Sequence, residues 1–114
     1  MNYDDNELQE LKEWNFFIAG VQHHDYYKCL DEMKVGDFLK MTAEPTNRYD
    51  PNAIRLEFPS KKNQEDIMVG YVKGNISAEV TALTITSRLS CQITELNKDA
   101  KPWEMIKVCV KEEA

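Results

Sequence analysis

Runs of alternating hydrophobic and polar residues recur along this chain, and they predict six β-strands. The predicted strands cover residues 15–22, 37–43, 53–58, 67–72, 90–96 and 103–110. In the third strand the apolar residues Ile54, Leu56 and Phe58 share one side, and charged residues alternate with them. This alternation indicates a sheet with one face toward a core and the other toward water.

Turn-forming residues separate these strands. Pro45 ends the second strand because proline has no N–H to donate to a ladder. Residues 46–52 concentrate turn formers, and Pro51 restricts the preceding Asp50 to extended backbone angles. The long polar connection between the first two strands is expected to contain a helical turn near residues 26–31.

One α-helix is predicted between the fourth and fifth strands. Ser77 is a typical N-cap residue, and residues 78–86 place apolar side chains on one stripe. Gly70, inside the fourth strand, indicates a bulge or the close approach of another backbone. Together these elements predict a mainly β fold, a small six-stranded antiparallel β-barrel (SH3/OB-like) with one or two short helices.

The composition fits one folded domain, since 42% of the 114 residues are hydrophobic and 30% are charged. The predicted layout is an acidic N-terminal arm over residues 1–13, the domain over residues 14–110 and a tail over residues 111–114. No apolar run approaches the roughly 20 residues that cross a bilayer, and the first residues lack the features of a leader peptide. A cytoplasmic protein without membrane contact is expected.

The net charge of −6 argues against nucleic-acid binding through general electrostatic attraction, but the acidic residues are unevenly distributed. Residues 1–13 carry −4 and residues 111–114 carry −1, which leaves −1 for the rest of the chain. A nearly neutral body can still contain a local basic groove. The charge therefore lowers the expectation of nucleic-acid binding without excluding it.

His23, His24 and Asp25 form a candidate metal or proton-transfer cluster, and the nearby Cys29 is a candidate nucleophile. Adjacent strand residues face opposite sides, so the two histidines converge only where the strand has ended. A polar loop is the preferred interpretation. The sequence contains no C-x-x-C pair, phosphate-binding glycine-rich loop or G-x-S-x-G motif. A non-enzymatic protein with reduced thiols, no cofactor and no metal is predicted.

The most distinctive stretch runs from Glu44 to Ile54 and reads E-P-x-N-x-Y-D-P-N-A-I. The segments F-x-I-A-G-V and V-G-D-x-L precede it, and V-G-Y-V and the predicted helix follow it. In this order the segments resemble the HIRAN domain, over residues 14–110, of the stand-alone bacterial or phage type. The resemblance implies the predicted barrel and a nucleic-acid-binding module that recognises the 3′-hydroxyl end of single-stranded DNA.

The resemblance also implies roles for two residues of the central motif. Tyr49 matches the family residue that stacks on the terminal base, and Asp50 matches the residue that accepts the free 3′-hydroxyl. Stacking on an aromatic ring is worth roughly 1–3 kcal/mol per base and is tolerant of sequence. A carboxylate accepts a hydrogen bond from a hydroxyl but repels a phosphorylated or continuing strand, so Asp50 is suited to distinguish an end.

The other family contacts are less well matched. Gln22 and His23 stand where DNA-binding members have a basic residue followed by an aromatic one. Lys73 lies one position before the family's second basic contact, and Gly74 occupies the matching place. The complete candidate DNA-binding set is Tyr49, Asp50, Gln22, His23, Lys73 and Arg48.

Two alternatives remain open at this stage. The segment from Tyr49 to Asn52 also fits a plain turn in which Asp50 accepts backbone N–H groups. At the level of function, the alternative is a protein-interaction β-barrel that has lost DNA binding, which the acidic surface and missing basic contacts favour. For the DNA-binding interpretation, we expect a monomer that acts in DNA repair or processing with a helicase or nuclease partner.

Overall fold

The computed structural model describes residues 11–113, so residues 1–10 of the predicted arm lie outside the described range. Over the described residues the strands are β1 (Glu13–Phe17), β2 (Phe38–Ala43), β3 (Ile54–Ser60), β4 (Glu65–Tyr71), β5 (Leu89–Leu96) and β6 (Ile106–Glu112). The α-helix, α1 (Gly74–Leu83), follows β4. The 3-10 turns are Val21–His23, Tyr26–Lys28, Leu30–Glu32 and Pro102–Glu104. The sheet thus extends slightly past the predicted domain limits, because β1 begins at Glu13 and β6 ends at Glu112.

All neighbouring strands are antiparallel, in the order β1-β6-β5-β2-β3-β4. The two outer strands meet where Ala19, just after β1, exchanges backbone hydrogen bonds of 3.0 and 2.9 Å with Tyr71 at the end of β4. One bridge, and not a continuous ladder, therefore joins the edges. The predicted six-stranded antiparallel barrel is confirmed. The seam of the barrel is the line along which β1 and β4 face each other, and only the bridge between Ala19 and Tyr71 joins it.

The interior of the barrel is a single apolar cluster to which every strand contributes. Ile54, Leu56 and Phe58 are buried, as their alternation predicts, whereas Arg55 and Glu57 between them are partly exposed. Burial of this apolar surface is the main force that holds the sheet closed. The polar side chains on the outer face of these strands can contribute to a site on the surface.

Gly70 lies at the seam and combines both predicted roles. The register between β3 and β4 shifts beside it, which is a bulge. A Cβ on Gly70 would lie 2.5 Å from the carbonyl oxygen of Ala19 and 2.5 Å from Cγ2 of Ile18, and the φ angle is +152°. Only glycine fits this position without displacing the neighbouring backbone. Gly70 thus allows the chain after β1 to close against β4.

The first and last predicted strands were too long at one end. β1 stops at Phe17, because Gly20 adopts a left-handed φ of 71° and turns the chain into the 3-10 turn Val21–His23. β6 begins at Ile106, because Pro102 starts another 3-10 turn. The helical turn expected near residues 26–31 is present as two short 3-10 turns.

The predicted helix is shifted along the chain. α1 begins at Gly74, so Ser77 is a buried residue of its first turns and does not cap it. The helix ends at Leu83 because threonines have low helix propensity, and Thr84 bonds back to the carbonyl of Thr81. Within residues 11–113, no helix has the length and apolar character needed to cross a membrane.

Candidate nucleic-acid interface

The turn between β2 and β3 holds Tyr49 with a fixed backbone and a free side chain. The side-chain oxygen of Asn47 accepts hydrogen bonds from the backbone N–H groups of Tyr49 at 2.9 Å and Asp50 at 3.0 Å. The carbonyl of Asp50 accepts a further bond from the N–H of Ala53. Tyr49 itself is 88% exposed. An aromatic ring held this far out of the core contributes little packing and is available to a ligand.

The carboxylate of Asp50 is oriented by two donors. Oδ1 accepts the backbone N–H of Asn52 at 2.8 Å, which is the contact that the plain-turn interpretation predicts. Oδ2 accepts the hydroxyl of Ser77 at 2.7 Å, which that interpretation does not predict. Thr81 adds a second tie by donating to the carbonyl of Asn52 at 2.9 Å. An ionised carboxylate has about four acceptor sites, so Asp50 is held in place without being saturated.

Glu44 connects this turn to the end of β4. Its Oε1 accepts hydrogen bonds from the hydroxyl of Tyr71 at 2.7 Å and from the side-chain amide of Asn47 at 3.1 Å. Its Oε2 faces the guanidinium of Arg55 at 3.5 Å. Because Asn47 also accepts the backbone N–H of Tyr49, Glu44 helps to fix the backbone that carries the exposed ring. Glu44 therefore does more than end a strand.

The surroundings of Glu44 fix its charge. Partial burial disfavours the ionised form, but hydrogen bonds from Asn47 and Tyr71 and the charge of Arg55 outweigh it, so the pKa of Glu44 is lowered. Burial and the bond to Glu44 raise the pKa of Tyr71. Burial, followed by the charge of His23, lowers the pKa of His24. At neutral pH the network consists of an anionic glutamate, a neutral tyrosine and a neutral histidine.

The 3-10 turn Val21–His23 brings Gln22 and His23 to the same end of the barrel, and both side chains are exposed. The next residue, His24, packs edge-on against Tyr71 with ring centroids 5.6 Å apart. The turn is thereby linked through Tyr71 to Glu44. Gln22 and His23 therefore lie near the bridge between Ala19 and Tyr71, close to the start of β3 and the end of β4.

The histidine cluster differs from a metal site. His24 points to Tyr71, whereas His23 is exposed to solvent, so the two imidazoles do not share a focus. Among residues 11–113, no group of three or more histidine, cysteine or acidic side chains is arranged to hold a metal ion. Cys29 is a buried thiol, and its burial raises its pKa to about 11, which disfavours the nucleophilic thiolate.

The two cations of the candidate DNA-binding set, Arg48 and Lys73, lie at this end of the barrel. The guanidinium of Arg48 lies 5.8 Å from the centroid of the Tyr49 ring, within the range of a cation–π contact. Lys73 precedes α1 and is exposed. By contrast, Lys61 and Lys62 lie at the far end of β3, where Lys62 pairs with Asp31 at 2.9 Å. Those two lysines are therefore separate from the turn that carries Tyr49.

Comparison with protein families gives a match to the HIRAN domain over residues 11–110. The chain belongs to the HIRAN family. Its fold is similar to the crystal structure of the HIRAN domain of human HLTF, with a TM-score of 0.66 and 13% identity over 90% of this chain and 76% of that one. It is also similar to a protein from Lactobacillus plantarum, with a TM-score of 0.70 and 18% identity over 90% of this chain and 97% of that one. A search of curated proteins gives no match.

Four residues that build the turn of this HIRAN domain were not among the predicted site residues. They are Glu44, Asn47, Tyr71 and Ser77. The spacing of Glu44 and Asn47 in the E-P-x-N motif was a usable signal, since residues three apart often meet across a turn. Tyr71 and Ser77 reach the turn only through the tertiary fold, and no local sequence pattern predicts their contacts with it.

Proposed function

We propose that this HIRAN domain binds the 3′-hydroxyl end of single-stranded DNA and serves as a DNA-end-recognition module in DNA repair or processing. One observation carries the proposal: Tyr49, which is 88% exposed, immediately precedes Asp50, whose carboxylate is held in place by two donors. A residue that served only the turn would gain nothing from such exposure. A terminal nucleotide needs both a surface for its base and an acceptor for its hydroxyl.

The chemistry of the two residues divides naturally between the base and the sugar. Tyr49 offers a face on which any base stacks, at roughly 1–3 kcal/mol. Asp50 accepts the terminal 3′-hydroxyl through an acceptor site that Asn52 and Ser77 leave free. A 3′-phosphate would bring a second negative charge to the same place and would be rejected. The proposed specificity therefore depends on the sign of the charge at Asp50.

The neighbouring polar residues suit the phosphates of the same strand. Arg48 and Lys73 supply positive charge, and Gln22 and His23 supply hydrogen-bonding groups at the seam. Within residues 11–113, Lys73 has no carboxylate at ion-pair distance, so its charge remains available. With so few cations, few counterions are released on binding, so the affinity is expected to be modest and its salt dependence shallow.

The test is fluorescence anisotropy at low salt with a single strand labelled at its 5′ end. The strand is prepared with either a 3′-hydroxyl or a 3′-phosphate. We expect a preference for the hydroxyl of about tenfold or more, because hydrogen bonds to charged groups are worth about 1.5–3 kcal/mol. Asp50→Asn should remove the preference, because the amide keeps the shape and loses the charge.

The control variant is Asp66→Asn, which removes a carboxylate at the opposite end of β4 from Tyr71. It should leave the preference for the hydroxyl unchanged. Equal binding of both strands by the parent protein, or no binding, would contradict the proposal. That result would favour the protein-interaction barrel and direct the search to protein partners.

A further inference from the structure

A cleft of about 340 Å³ lies between β1 and the first turn of α1. Its lining includes Trp14, Phe17, Lys73, Asn75 and Lys107. Among residues 11–113, no acidic side chain lines it. The chain as a whole carries a net charge of −6, so a cleft lined by two lysines and three aromatic residues stands out from its surroundings.

Phe17 and Lys107 form one wall. They are directly paired across β1 and β6, and Nζ of Lys107 lies 5.8 Å from the centroid of the Phe17 ring. Phe17 is 38% exposed, although it lies on a strand. Lys107 also contacts Glu95 at 3.1 Å, so its charge is shared and not fully neutralised. The wall combines an accessible aromatic ring with a cation.

Trp14 and α1 form the opposite boundary. The indole N–H of Trp14 donates to Glu79 at 3.0 Å, which fastens β1 to the helix. Asn75 adds an exposed amide from the first turn of α1. Because β1 and α1 are tied together, the cleft is a formed feature of the surface.

The cleft adjoins the site proposed for the DNA end. Lys73 lines the cleft and immediately precedes α1, and Ser77, about one helical turn further on, donates to Asp50. Four residues of helix cover about 6 Å. About one turn of α1 thus separates Lys73, which lines the cleft, from Ser77, which holds the carboxylate of Asp50.

We propose that this cleft binds a nucleotide of the same single strand, upstream of the 3′ end. The inference rests on the proposed function, because it takes Asp50 as the position of the terminal hydroxyl. Alternation of basic and aromatic groups is the pattern by which proteins hold single strands, with rings for the bases and cations for the phosphates. Phe17 offers the ring, and Lys73 and Lys107 offer the charges.

The test compares two ligands that end in a 3′-hydroxyl: a dinucleotide, and a strand of about ten nucleotides, which is within the site size of one OB-type domain. Lys107→Gln and Phe17→Ala are the variants. We expect each to weaken binding of the longer strand about three- to tenfold and to leave the dinucleotide unchanged. Lys107→Gln should also reduce the salt dependence of log K by about 0.7, the value for one phosphate contact on a single strand.

The matched control is Lys111→Gln, which removes a lysine four residues along the same strand and outside the cleft. It should change the affinity for neither ligand. Unchanged binding of the longer strand by Lys107→Gln would overturn the inference. Lys107 is a partly exposed surface residue, so its replacement is expected to leave the fold intact. An equal loss on both ligands would also overturn the inference, because the cleft would then belong to the end site.

These outcomes are separable from failure of the proposed function. If Asp50→Asn abolishes the preference for a 3′-hydroxyl while Lys107→Gln has no effect, the end site stands and the upstream cleft is wrong. If the parent protein shows no preference for a hydroxyl over a phosphate, the end site fails, and the position of the cleft relative to the end fails with it.

Discussion

The hydroxyl of Ser77 donates a 2.7 Å hydrogen bond to the carboxylate of Asp50, which joins the first turns of α1 to the turn between β2 and β3. The carbonyl of Gly74 lies 3.1 Å from the same hydroxyl. A hydroxyl has one proton, and the charged acceptor forms the stronger bond. Ser77 is 1% exposed, so this contact is protected from water and sets the orientation of Asp50.

Ser77→Ala should therefore affect both stability and DNA binding. Loss of the bond leaves one oxygen of Asp50 without its partner, and we expect unfolding free energy to fall by about 1–2 kcal/mol. Urea denaturation measures this change. The affinity for a 3′-hydroxyl strand should also fall severalfold, because the carboxylate is no longer fixed. Ser87→Ala, which breaks a similar bond to Glu112, should lower stability without lowering that affinity.

Glu44 should make the stability of the domain depend on pH. Its pKa is lowered in the folded protein from an ordinary value of 4.5, so its contribution is complete above that value and is lost as pH falls through the folded pKa. Glu44→Gln should remove this contribution. Denaturation measured from neutral pH to about pH 3 should give a difference between parent and variant that shrinks in acid.

DNA binding separates this role from a general loss of stability. Glu32 also has a lowered pKa, chiefly because Ser60 donates a hydrogen bond to it, but it lies far from Tyr49. Glu32→Gln should reduce stability and leave DNA affinity intact, whereas Glu44→Gln should reduce both. Equal DNA affinities for the two variants would argue against a supporting role for Glu44.

Gly70 should tolerate no side chain. Gly70→Ala would place a Cβ 2.5 Å from the backbone oxygen of Ala19 at a φ of +152°. Backbone strain and overpacking each cost about 1–3 kcal/mol, so we expect a loss of about 3 kcal/mol or more in thermal or chemical denaturation. Gly74→Ala is the control, because nothing lies within 4 Å of its added methyl group and alanine favours the helix. A mild effect at Gly70 would mean that the seam can separate.

The barrel could be predicted from the sequence because its signals are local. The alternation in β3 correctly assigned Ile54, Leu56 and Phe58 to the core, and the motif order indicated the family. The end of β1 could not be predicted in the same way. It depends on the left-handed backbone of Gly20, and a single glycine within an apolar run is compatible with a strand.

The support of the candidate site was hidden for a related reason. Serine is a typical N-cap residue, but the hydroxyl of Ser77 donates to Asp50, 27 residues earlier in the chain. Tyr71 reaches Glu44 across the same separation. Periodicity describes which face a residue occupies, and it carries no information about partners that only the folded sheet brings together.

The most direct gain-of-function test adds a cation where the family resemblance places one. Gly74 occupies that place, has no atom within 4 Å of an added Cβ and has no positive φ, so a lysine side chain fits there. Gly74→Lys should increase affinity for single-stranded DNA at low salt about three- to tenfold. The slope of log K against log salt should become steeper by about 0.7 for one new phosphate contact. A lysine at a helix N-terminus opposes the dipole and should cost about 0.3–1 kcal/mol of stability. Ala82→Lys adds the same charge to an exposed position near the other end of α1, so equal gains from both variants would mean that net charge alone, and not a contact at the site, strengthens binding.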